Sequence, residues 1–213
     1  MQALEKIVIN RNWIILIILL LLILIVLLKS LNKERLKGFV FVLFNKNFIT
    51  TEADDNPSFF NGFNLLLFLF STITVSLTIS FLLDTKSYLF DTTFSSFLIV
   101  FTIVLSYFLL KKFLEFLLVR LFLIQKQLLF YTISKTSYLY TISFVLFIVY
   151  ILTVYSALKA SVLLYSTLFL LVIRFIAHIV INKKLIFSKL FYFILYICAL
   201  EIAPLFLLFK LIL

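Results

Sequence analysis

The chain has 213 residues, 65% of them hydrophobic and only 13% charged, with a mean hydropathy of +1.26. No soluble domain of this size hides so much apolar surface, so composition excludes a soluble fold and points to an integral membrane protein. The net charge of +10 does not call for nucleic acid: the basic residues stand between apolar runs, where the positive-inside rule expects them, and no basic–aromatic interleaving marks a polar element.

The first apolar run is Trp13 to Leu28, with Arg11 before it and Lys29 after it. It is short for a span, but at about 1.5 Å per residue it crosses if the flanking cations snorkel. Trp13 suits an interfacial anchor. No small-residue cleavage site follows, so the run reads as a retained helix rather than a signal peptide. Residues 29–62 form the long connection. It opens basic (Lys29, Lys33, Arg35, Lys37) and closes acidic (Glu52, Asp54, Asp55). Within it Phe39 to Phe44 is apolar but too short to span, which fits an interfacial or re-entrant segment in a loop.

Residues 63–83 carry no charge and form a clear span. Their stretch Ser71 to Ser80 alternates polar and apolar, a strand signal. One such strand cannot close a barrel in lipid, so helix is expected, with Thr72, Ser76 and Ser80 on one face. Residues 94–110 are the third span. Charges at Lys111, Lys112, Glu115, Arg120 and Lys126 then interrupt apolar groups, so 111–127 reads as an amphipathic surface helix or a helical extension. Residues 137–157, 161–181 and 190–209 complete the count. The expected fold is an all-α integral membrane bundle of about six transmembrane helices in one domain, 1–213, with one or two interfacial amphipathic segments. Lys and Arg outside the spans concentrate in 29–62, 111–136 and 182–189. These loops are therefore expected in the cytoplasm, with both termini on the opposite side.

Polar residues inside the last two spans are the candidate centre. Arg174 and His178 are four apart and share a helix face, with Thr167 near the same line. Glu201 lies in a run otherwise free of charge. A charge in hydrocarbon costs at least about 2.5–3.5 kcal/mol, and pairing between Arg174 and Glu201 is the simplest compensation. Measured from the ends of their spans, the two lie about 10 and 16 Å deep, within reach of an extended arginine. Pro204 has no N–H, so it frees the carbonyl of Leu200 beside Glu201. Ala199 and Ala203 offer a small-xxx-small contact, and Cys198 a small packing side chain.

The alternatives for this centre are a structural ion pair, a proton or solute pathway, and recognition of a partner's charge. His178 fits a hydrogen-bonded structural role, a proton relay or a haem ligand. One Cys and one His make no metal cluster, and no catalytic triad, carboxylate pair or phosphate loop is visible. No cofactor is expected.

The stretch Phe191 to Leu205, with its Tyr196, Cys198, Glu201, Ile202 and Pro204 pattern and the upstream Arg174 and His178, resembles an uncharacterised family of polytopic inner-membrane proteins of Bacteroidota, catalogued as a domain of unknown function. The resemblance implies a bacterial inner membrane and assigns no activity. Apart from it, the codon bias behind so many Phe, Ile, Lys, Asn and Tyr residues also suits a mitochondrial genome. The expected function is a non-enzymatic accessory or assembly component in the lipid bilayer, binding a membrane-protein partner or a second copy of itself. The alternative is a proton-coupled transporter or channel using Glu201, Arg174 and His178. A membrane enzyme or haem-handling protein is the third reading.

Overall fold

The structure is a computed structural model describing residues 12–43, 46–54, 61–86, 93–121, 125–156 and 160–188. Among these residues it is all helical, with seven helices: α1 Asn12–Leu31, α2 Lys33–Val40, α3 Lys46–Asp54, α4 Gly62–Lys86, α5 Phe94–Leu121, α6 Gln125–Tyr155 and α7 Ala160–Ser188. Four stretches are long and apolar enough to cross a membrane: Asn12–Leu31, Gly62–Leu83, Phe94–Glu115 and Phe130–Tyr155. A shorter apolar stretch, Ser161–Ala177, lies in α7.

The lengths follow from the lack of breakers. No Gly or Pro falls between Gly62 and Pro204, so nothing in the covalent chain ends a helix early. α1, with 20 residues, is about 30 Å long, the thickness of the hydrocarbon. α5, α6 and α7 have 28, 31 and 29 residues and are about 42–46 Å long. They run past their apolar stretches. Residues 111–121 extend α5, and residues 125–136 form the first turns of α6.

α4 and α6 form the centre. Phe70 stacks on Phe144 with ring centroids 4.7 Å apart and meets Phe147 edge-on, and Phe81 meets Tyr150. The hydroxyls of α4 are buried without harm because each donates to its own helix. Thr72 Oγ1 bonds to the Phe68 carbonyl at 2.7 Å, Ser76 Oγ to Thr72 at 2.8 Å and Thr78 Oγ1 to Thr74 at 2.7 Å. A hydroxyl that satisfies itself can pack like a small apolar group, which lets Ser and Thr take the place that Gly holds in other bundles. α1 adds one stripe, Ile14, Ile18, Leu21 and Leu28, at helical spacing. Its other faces expose Leu16, Leu19, Ile23 and Val26. Trp13 packs its ring on Phe94 and Phe97 at the start of α5, at 6.2 and 5.5 Å.

The stretch expected as a loop with an interfacial strip contains two short helices. Asn32 caps α2, its side chain accepting from the Arg35 N–H at 3.0 Å. Leu36 and Phe39 then face inward, and the first residues of the turn bury Val42. α3 buries Ile49 and Glu52, three apart on one face. Phe48 crosses directly over Gly38, where a Cβ would run into its ring. Phe39 meets Phe48 and Tyr140 edge-on, so the pair α2–α3 is docked on α6. Thr141 Oγ1 donates to the Phe39 carbonyl at 2.7 Å. That carbonyl lies in the last turn of α2, where helices leave carbonyls unbonded.

Candidate functional site

Two clusters of charge sit among these helices, at the same end of the bundle. The first joins α2, α3 and α4. Arg35 is held by both oxygens of Glu52, Nε at 3.1 Å from each and Nη2 forming the ion pair. Nη2 also donates to Asn64 Oδ1 at 3.1 Å. The guanidinium lies over the rings of Phe63 and Phe39, with distances of 4.9 and 5.9 Å to the centroids. A planar, weakly hydrated cation suits this place: its edge meets a carboxylate while its faces meet rings.

The second cluster joins α5, α6 and α7. Glu115 and Lys135 are each only 3% exposed. Glu115 Oε1 is 3.7 Å from Lys135 Nζ, and Oε2 is 3.8 Å from Lys112 Nζ one turn back on its own helix. The first of these ties α5 to α6, which makes it the costlier pair to break. These groups border a cavity of about 20 Å³, lined also by Phe68, Lys111, Tyr140 and Arg174. Phe68 and Phe108 meet edge-on at 6.3 Å across its inner side. Tyr140 stands between the clusters, touching Phe39 on one side and lining the cavity on the other.

Of the residues singled out in the sequence, Arg174 is in this cavity, beside Glu115 and Lys135. Thr167 donates to the Leu164 carbonyl at 2.7 Å. His178 lies on α7 with its side chain outside the described residues. Cys198, Ala199, Glu201, Ala203 and Pro204 also lie outside them, and so does any Arg174–Glu201 pair. Sequence reasoning passed over Glu115 and Lys135 because both fell in a stretch read as surface or loop. The usable signal was the spacing Lys111, Lys112, Glu115 within apolar sequence, and a Ser134-Lys-Thr-Ser137 patch joined without a breaker to the span after it.

Chemically, both clusters bind helices together through charge in a poorly hydrated layer. The second also presents several cations to one small space. Among the described residues no group of three or more His, Cys, Asp or Glu side chains is placed to hold a metal ion. No curated protein and no solved structure matches the chain. A family model does match it, over residues 14–212, under the description Domain of unknown function (DUF4271), and the chain belongs to that family.

Proposed function

We propose that the protein is a non-enzymatic component of a bacterial inner membrane that assembles with membrane-protein partners, with its basic loops and α2–α3 unit on the cytoplasmic side. The observation that carries this reading is the α2–α3 unit itself. Its inner face is fixed by Leu36, Phe39, Ile49 and the Arg35–Glu52 pair. Its outer face is polar and exposed, with Lys33, Glu34, Lys37, Asn47 and Thr51. A surface held in place before binding avoids the ordering cost that a loose loop of the same length incurs on association. Charge reversal at Lys33→Glu and Lys37→Glu tests the reading. Affinity isolation from the native membrane should recover a defined partner with the wild-type protein and lose it with the double variant, at equal abundance of the bait. Identical recoveries would contradict it.

A second reading, proton-coupled transport, is favoured by one feature: Glu115 and Lys135 are both almost fully buried, with Arg174 beside them. Transport predicts that Glu115→Gln abolishes flux in proteoliposomes while the protein stays folded. A structural pair predicts loss of folded protein instead, recovered in part when Lys135 is also made apolar.

A further inference from the structure

The cavity beside α5, α6 and α7 carries charge of one dominant sign. Lys111, Lys112, Lys135 and Arg174 reach it from three helices, and Glu115 is the one carboxylate among the described residues that line it. Four cations against one anion leave an excess of three positive charges around a single space. Each of these groups has contacts of its own within the protein, Lys111 over the Tyr107 ring and Lys135 over the Tyr131 ring among them. The excess is a property of the sum, and concentrating like charge out of water is costly. The aromatic walls, Phe68, Phe108 and Tyr140, supply no formal negative charge. An anion entering the space relieves the cost.

We propose that this cavity binds a phosphoryl group presented at the membrane boundary. Position supports this. Lys111, Lys112 and Glu115 close the apolar stretch of α5, Lys135 is five residues inside that of α6, and Arg174 is three residues from the end of that in α7. All lie at the edge of the hydrocarbon, the level at which the phosphodiesters of a bilayer begin. Size supports it too. A volume of about 20 Å³ takes little more than a water-sized group. What enters is therefore the oxygen edge of the phosphoryl group, with the rest of the ligand outside. An arginine and lysines converging from separate helices suit such an edge. The phosphoryl group comes from an anionic phospholipid or from free phosphate, and the site does not depend on the assembly reading above.

The test uses the full chain, delipidated in a neutral detergent and titrated with phosphatidylglycerol, phosphatidylcholine or inorganic phosphate, with bound ligand read by native mass spectrometry. Phosphatidylglycerol should bind more tightly than phosphatidylcholine. Arg174→Gln and Lys111→Gln should each weaken it roughly fivefold, the effect of one cation near an anionic surface. Lys37→Gln, on the exposed side of α2, should leave it unchanged. Glu115→Gln tests the sign: losing the one negative charge should tighten binding roughly fivefold, whereas a purely structural Glu115 would move stability and not affinity. If that variant does not fold, the Arg174 and Lys111 variants decide the matter. Inorganic phosphate that displaces the lipid from the wild type but not from Arg174→Gln supports the site and assigns free phosphate as its ligand. Equal binding of the two lipids, no binding of either lipid or phosphate, or affinities unchanged by the Arg174 and Lys111 substitutions, overturns the proposal.

Discussion

Arg35 stays charged beside a packed aromatic core because each of its faces meets a different partner. Glu52 and Asn64 take its edge, and Phe63 and Phe39 take its planes. Removing the cation leaves the Glu52 carboxylate, 7% exposed, among apolar neighbours. Arg35→Ala should therefore cost about 3 kcal/mol in the docking of α3. Hydrogen exchange at the amides of 46–54 measures this, and opening should become more than about a hundredfold more frequent. Arg35→Met with Glu52→Leu should recover most of the loss, since two apolar side chains leave no stranded charge. At Gly38 the constraint is steric. Gly38→Ala drives a methyl into the Phe48 ring and should cost about 1–3 kcal/mol, seen as faster exchange in the same amides. Neither residue was legible as structural from sequence. Arg35 looked like one of several loop cations, and Gly38 like loop punctuation, because their partners lie 17 and 10 positions further on.

At the scale of elements, apolar runs told where helices exist, and charges told poorly where they stop. Residues 63–83 read as a span in spite of their alternating hydroxyls, and α4 is a helix there because each hydroxyl returns its bond to the preceding turn. The charges at 111–115 look like an end in sequence. In the structure α5 continues through them, because Glu115 finds Lys135 on α6 and Lys112 on its own helix. A pair formed between distant segments cannot be read from either one. The exposed faces of α1 give a direct check on which surfaces meet lipid. In a Cys198→Ser background, spin labels at Leu16, Leu19 and Val26 should collide freely with oxygen dissolved in the bilayer. Labels at Ile18 and Leu21, both buried, should not. Equal accessibility around α1 would mean that its Ile14–Leu28 stripe is not packed on α4.

For the whole molecule, the two charged clusters, the docked α2–α3 pair and the small cavity all lie at the end where α5 finishes and α6 begins. The opposite end is aromatic, with Trp13, Phe94 and Phe97. That polarity matches the basic bias of the loops, and it is the part of the architecture that composition made plainest. The role of the bundle was far less legible, since charges that lock helices and charges that serve a partner have the same sequence signature. The native mass and composition of the protein, extracted from its own membrane in mild detergent, separate these directly. Assembly with partners predicts a stoichiometric complex larger than a homodimer, with a second membrane protein present at a fixed ratio. A folded monomer or homodimer that carries no other protein would contradict it.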